Sequence, residues 1–232
     1  MLVKTIFAGF GGQGVLMMGF CLATAAMEEG LHVTYMPSYG AEVRGGTANC
    51  TISISDDEIA SPIASSPDIL VAMNEPSLMR FQNAIKKDGI CVSNQTLISI
   101  DLPRKDVTEY SVPAGSIAES VGSIRSANMV ILGALVAATD VVPLDRMIET
   151  VTNITMKKRK ELVDLNVKAI RAGYDYVAKQ KGTAGAGKKK KTSKKAAGKT
   201  AKKKTSNKKT AKKKATAKKA NKKTAAKKKA KK

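Results

Sequence analysis

The chain has 232 residues and a formal net charge of +22, a value that on its face points to nucleic acid or an anionic membrane. The charge is not evenly spread: residues 182–232 hold 24 Lys and no acid, leaving 17 basic residues against all 19 acidic ones in residues 1–181. The first 181 residues are therefore close to neutral and are not themselves a polycation, so any specific chemistry belongs to them and not to the tail.

Leu2 to Ala8 is a short apolar run with β-branched residues that ends in a glycine cluster, and a helical pattern opens near Gln13 and stops at Gly30. His32 to Met36 reads as a second strand closed by Pro37, so the chain opens with a βαβ unit and hence a parallel sheet. Ala48 to Ile54 alternates apolar and polar residues, the period-two pattern of a half-buried strand, with Asp56-Asp57-Glu58 as its solvated turn. Asp68 to Met73 predicts a third, buried strand, and Asn74-Glu75-Pro76 opens a helix reaching about Ala84, with Pro76 suited to a first turn. Ile90 to Ser93 and Asp106 to Val112 read as further strands. Asn128 to Thr139 and Leu144 to Val151 read as helices separated by Pro143.

The last helix is expected over Lys157 to Lys179, with Leu162, Leu165, Ala169 and Tyr176 on its packed face and Gly182 to Gly187 as a linker. Together these elements predict an α/β fold: a Rossmann-like, mostly parallel sheet flanked by helices in one domain, 1–181, followed by a Lys/Ala/Thr-rich basic tail, 182–232. Beyond Val177 the chain has no Val, Ile, Leu, Met, Phe, Tyr or Trp. Nothing there offsets the roughly 1–2 kcal/mol per residue of backbone ordering, so the tail is expected to be disordered.

Cys21, Cys50 and Cys91 lie far apart, with no CxxC pair and only His32 as an imidazole, so neither a metal site nor an iron–sulfur cluster is expected within this chain. The longest apolar run, Val15 to Met27, is shorter than a membrane span and contains Gly19 and Thr24. With no basic leader at the N-terminus, the expected location is cytoplasmic.

Gly9-Phe10-Gly11-Gly12-Gln13-Gly14 satisfies GxGxxG directly after a strand and at a helix start, where backbone N–H groups and the helix dipole favour an anion. A dinucleotide site also expects an acid at the end of the second strand, and Tyr35, Met36, Pro37 and Ser38 supply none. Two readings stay open: the glycines contact a phosphate or cofactor, or they only let strand and helix approach closely. The second feature is Ser38-Tyr39-Gly40-Ala41-Glu42-Val43-Arg44-Gly45-Gly46-Thr47. Following the second strand, it is expected at the carboxyl edge of the sheet beside the first loop, where open α/β sheets bind ligands. A surface ion pair between Glu42 and Arg44 is the plainer account of its charges. No Ser-His-Asp set or paired carboxylates stand out, and His32 inside a strand is read as structural.

These two loops, with Asp68-Ile-Leu-Val-Ala-Met-Asn74 and Asn128-Met-Val-Ile-Leu-Gly-Ala134, resemble the gamma subunit of 2-oxoacid:ferredoxin oxidoreductases over residues 1 to 178, and within that family the 2-oxoglutarate form. The resemblance implies a multi-subunit enzyme that decarboxylates a 2-oxoacid on thiamine diphosphate with Mg2+, sends electrons through iron–sulfur clusters to ferredoxin and transfers the acyl group to coenzyme A. It implies alpha and beta partner subunits, with a delta subunit as a further candidate, and cofactors held mainly by those partners, with none bound by this chain alone. Glu42 and Arg44 are then the candidate catalytic residues. Gly9, Gly11, Gly12, Gln13, Gly14, Tyr39, Gly45 and Gly46 are the candidates for cofactor or subunit contact. The tail departs from the family pattern. Its lysine blocks would bind nucleic acid or another polyanion without sequence preference, or would simply be solvated. A nucleoid-associated DNA-binding protein is therefore the rival reading, and a free-standing nucleotide-binding enzyme a third.

Overall fold

The computed structural model describes residues 1–40, 45–157 and 159–196, with side chains described up to residue 182. The chain divides into two units, Met1–Lys181 and Gly182–Lys232; the fold below is that of the first. Its strands are β1 (Leu2–Phe10), β2 (His32–Tyr39), β3 (Thr47–Ser55), β4 (Ile69–Ala72), β5 (Ile90–Asn94) and β6 (Thr108–Val112). Its helices are α1 (Val15–Glu28), α2 (Glu75–Phe81), α3 (Ala114–Val121), α4 (Ala127–Thr139), α5 (Leu144–Met156) and α6 (Val163–Ala196).

The six strands form one sheet in the order β2-β3-β1-β4-β5-β6. β1, β4, β5 and β6 pair in parallel, whereas β3 pairs antiparallel with both β1 and β2. Two antiparallel steps restore direction, so β2 runs the same way as β1 and only β3 is reversed. The mostly parallel sheet is thus as the βα rhythm predicts. The opening βαβ unit keeps its orientation but not its adjacency, because β3 is inserted between its strands.

Three strand expectations are corrected. Pro37 does not close β2, which continues to Tyr39 with Pro37 opposite Cys50; β2 is a sheet edge, where a proline without an N–H does not interrupt a ladder. β3 is not half-buried: Thr51, Ser53 and Ser55 are buried with Cys50, Ile52 and Ile54, because a strand flanked on both sides in a sheet covered on both faces has no solvated side. β6 starts at Thr108, two residues later than its sequence pattern.

Alternation along the strands builds two cores. Phe7, Ile52, Ile69, Val71 and Val92 face α1 and α3–α6, while Ile6, Ala8, Leu70, Ala72 and Cys91 face α2 and the segments around Ile98 and Val107. α4 is the central helix, with every residue from Met129 to Ala138 buried, as a helix apolar on all sides requires. α2 is fixed at its start by Asn74, whose side chain accepts the Ser77 N–H at 3.0 Å, with Pro76 in the first turn.

Three helix expectations change. α3 has no counterpart in the sequence reading. α5 runs on to Met156, and a 3-10 turn at Lys160–Leu162 precedes α6. On α6, Ala169, Ile170, Gly173 and Val177 are buried, whereas Leu165 and Tyr176 are half-buried, as is Leu162 in the 3-10 turn before it. The helix continues past the expected linker, Gly182 to Gly187, to Ala196. The expectation of disorder from residue 197 onward lies outside the described residues.

Candidate functional site

Because β1, β2, β4, β5 and β6 point one way, the loops after them, together with the start of β3, share one rim. The residues flanking it are in register: Phe10 opposite Thr47 and Tyr39 opposite Ala48. The two glycine loops are tied together there. Gly11 N–H donates to Gly46 O at 2.8 Å and Gly45 N–H to Gly11 O at 3.5 Å, while Gly40 N–H donates to Thr47 O at 2.9 Å. Gly12, Gly14 and Gly45 have φ of +98°, +76° and +78°, the left-handed region that glycine enters without strain.

A cleft of about 560 Å3 lies over this junction, lined by Phe10, Gly11, Gly12, Gly14, Tyr39 and Gly46 among others. Among the described residues none that lines it is charged. Tyr35 lies below, its hydroxyl donating to Leu16 O at 3.2 Å; burial, then Cys50 and Tyr39 nearby, raise its pKa.

Gly9 and Gln13 do not line that cleft. A Cβ on Gly9 would meet Gln13 Oε1 and Val15 Cγ2 at 2.7 Å and Met73 Cβ at 2.9 Å, so Gly9 serves the close approach of strand and helix. Gln13 folds back into the loop, where its Oε1 accepts the Phe10 N–H at 2.7 Å and Asn74 Nδ2 at 2.9 Å. The carboxamide thereby joins the first loop to the start of α2. Glu42 and Arg44 lie outside the described residues.

A second cleft, of about 350 Å3, opens on the other side of Gly12 and Gln13, with Asn94, Thr96, Arg125 and Asn128 in its lining. It sits at the carboxyl ends of β1, β4 and β5, where the chain turns from one half of the sheet to the other, the usual ligand crevice of such sheets. Asn94 is held by Thr96 N–H donating to its Oδ1 at 3.2 Å, and Thr96 Oγ1 accepts the Gly115 N–H at 2.9 Å. Sequence reasoning missed these residues; the signal was there in the polar run Asn94-Gln95-Thr96 directly after a buried strand, but its value depends on strand order.

Among the described residues neither of these two clefts is lined by a carboxylate, so those residues offer no ligand to the Mg2+ of a metal diphosphate. Among the described residues no group of three His, Cys, Asp or Glu side chains could hold a metal. Cys50 and Cys91 lie in cores on opposite faces of the sheet. Among the described residues no helix is long and apolar enough to cross a membrane.

Residues 4–176 match the pyruvate ferredoxin/flavodoxin oxidoreductase family. The chain belongs to this family. Its domain has the fold of the family's gamma subunits: it superimposes on the keto/oxoacid ferredoxin oxidoreductase gamma subunit of Geobacter sulfurreducens with a TM-score of 0.65 and 28% identity, covering 75% of this chain and 98% of that one. The 2-oxoglutarate:ferredoxin oxidoreductase of Magnetococcus marinus, solved with 2-oxoglutarate, coenzyme A and succinyl-CoA, matches with a TM-score of 0.69 and 25% identity over 76% of this chain and 31% of its own. The ketoisovalerate oxidoreductase subunit VorA of Methanothermobacter marburgensis is 37% identical over 178 residues, 76% of this chain and 37% of VorA. The chain thus spans little more than a third of that relative. Further relatives in the oxidoreductase family are subunits of 2-oxoglutarate synthase, indolepyruvate oxidoreductase and pyruvate synthase. The resemblance read from the motifs is borne out at the level of the family and the gamma-type domain. None of these matches points to nucleic acid, so the DNA-binding rival draws no support from them.

Proposed function

We propose that the chain is the gamma subunit of a multi-subunit, cytoplasmic 2-oxoacid:ferredoxin oxidoreductase and takes part in CoA-dependent oxidative decarboxylation, with 2-oxoglutarate as its substrate. The observation that carries this reading is the interlocked pair of glycine loops on the rim of a gamma-type domain. Such a rim is suited to complete a site, not to run one. Thiamine diphosphate, when bound, supplies the carbanion stabilisation for decarboxylation. In this reading it and the iron–sulfur clusters belong to the alpha and beta partners; among the described residues no group of three His, Cys, Asp or Glu side chains could hold a metal.

What this chain contributes is binding and orientation. Gly11, Gly12, Gly14, Tyr39, Gly45 and Gly46 shape the wall of the larger cleft or its hinge, and Gln13 locks the first loop. In this reading that loop contacts a partner subunit or a phosphate of coenzyme A. Arg125 and Asn128, in the second cleft, are suited to the same anion. In this reading Glu42 and Arg44 help shape the shared active-site region.

The test is native purification of the tagged full-length chain at high salt, followed by assay of CoA-dependent 2-oxoglutarate and pyruvate oxidation with a viologen acceptor. Recovery of larger, iron–sulfur-containing partners with 2-oxoglutarate activity is the expected result. A lone, inactive chain would overturn the reading. In the assembled enzyme, Arg44→Ala is expected to lower kcat/KM; unchanged kinetics would remove Arg44 from the site.

A further inference from the structure

From Thr5 to Met27, and again from Gly30 to Ala41, the sequence holds no Asp, Glu, Lys or Arg, in a chain where those residues make up 26%. β1 and the inner side of α1 bury most of the first stretch, but the outer side of α1 and much of β2 lie at the surface. α1 turns Val15, Met18, Leu22, Ala25 and Ala26 inward, and on its other side Met17, Phe20, Thr24 and Met27 follow at steps of three and four, the spacing of one helix face. Phe20 is 45% and Met27 62% exposed. The adjoining edge strand β2 adds Tyr39, on the α1 side of the sheet, at 71%, and the Phe20 ring meets Tyr35 edge-on at 6.2 Å between centroids. Met17 and Tyr39 also line the larger cleft, so the apolar face continues into the rim.

A helix face open to water is normally polar. A contiguous exposed apolar patch marks a partner surface, and Met and aromatic side chains without charges are the composition of the core of a lasting protein interface. The lengths of the relatives indicate the occupant. The same domain makes up 98% of the Geobacter gamma subunit but only 37% of VorA, so it exists both as a separate chain and as part of a longer one. The separate form must hold by contact what the joined form holds by a peptide link.

We infer that the outer face of α1, with the β2 edge beside it, is the surface by which this chain docks the larger oxidoreductase chain, through an apolar, uncharged counter-surface. This rests on the function proposed above. The absence of charge makes the docking insensitive to salt, unlike anything the lysine-rich tail would bind.

The experiment co-expresses the full-length chain with the other oxidoreductase subunits and measures partner recovery for wild type, for Phe20→Glu with Met27→Glu, and for Met79→Glu, an exposed position on α2 at 57%. The α1 variant is expected to reduce recovery by about tenfold or more, with an unchanged melting temperature of the isolated chain, while Met79→Glu matches wild type. Hydrogen exchange over residues 15–28 should slow in the complex. Normal recovery of the α1 variant together with unprotected α1 amides would overturn the docking surface and leave the proposed function standing. A wild-type chain that captures no partner would overturn both. An isolated chain that forms a dimer lost in the α1 variant would assign the face to a second copy and likewise overturn the inference.

Discussion

Gly133 of α4 and Gly173 of α6 are reciprocal contact points: a Cβ on Gly133 would overlap the carbonyl oxygen of Ile170, and a Cβ on Gly173 would overlap the carbonyl oxygen of Val130. Each helix rests on the other's backbone. Both partners are main-chain atoms of buried helices and cannot swing aside. Gly133→Ala and Gly173→Ala are therefore each expected to destabilise the domain by about 1–3 kcal/mol, despite the better helix propensity of alanine. Urea denaturation reads this as a lower midpoint; midpoints at or above wild type would mean the helices separate at no cost.

Gln13 concerns the rim directly. Gln13→Ala leaves the Phe10 N–H and the Asn74 carboxamide without their acceptor and should cost about 1–3 kcal/mol. Gln13→Glu retains an acceptor and should cost less. Amide exchange at Phe10 separates the cases: it accelerates in the alanine variant and stays slow in the glutamate one. Equal exchange in both would show that the side chain does not hold the loop.

Arg104 holds both carboxylate oxygens of Asp106, at 2.7 and 2.6 Å, and this pairing lowers Asp106 from its ordinary 3.8 to about 2. A carboxylate lowered on folding contributes stability that is present above its unfolded pKa and lost as pH falls through the folded one. The difference in melting temperature between wild type and Asp106→Asn should accordingly be constant near neutrality and shrink between about pH 4 and pH 2. It should also be small, since the pair is at the surface. A difference independent of pH would assign the effect to something other than the charge.

Burial pushes the thiols of Cys50 and Cys91 up to about 12, and both side chains are fully covered. At about pH 8 neither is a nucleophile in the folded domain. A disulfide reagent should modify them only at the rate of unfolding, and promptly in denaturant. Because the unfolded thiols ionise from their ordinary 9.0, these two groups favour unfolding as pH rises above that value. Rapid labelling of the native chain would contradict the packing around them.

Local signals revealed what depends on local chemistry. The Asn74-Glu75-Pro76 start of α2, the glycine cluster between β1 and α1, and the apolar run of α4 were readable because caps, turns and hydrophobic runs act within a few residues. Burial on β3 was not, since Thr51 and Ser53 are polar and only the strands on either side and the cover of both faces put them inside. α3 was missed because Gly115 and two serines, Ser116 and Ser120, dilute its pattern, while its start is secured by a non-local bond from Gly115 N–H to Thr96. The site divides the same way. The meeting of the two glycine loops followed from the direction of β1 and β2, whereas the second cleft brings together Gln13, Asn94 and Asn128, residues that share nothing in sequence.

Residues 1–46 contain no two strands that hydrogen-bond to each other, because β3 occupies the place between β1 and β2. On the ribosome, β1, α1 and β2 must all emerge before any ladder can form, and the first within reach is the β2–β3 hairpin, which joins Tyr39 to Ala48. Until then the inward side of α1 has no sheet to lie on. Joining β1 to β3 closes the longer loop, from Phe10 to Thr47, and is entropically slower, so a nascent chain halted before Thr47 would be a client for chaperones. A split of the gene at that point would leave β1 and β2 without a ladder until their fragment found the one carrying β3.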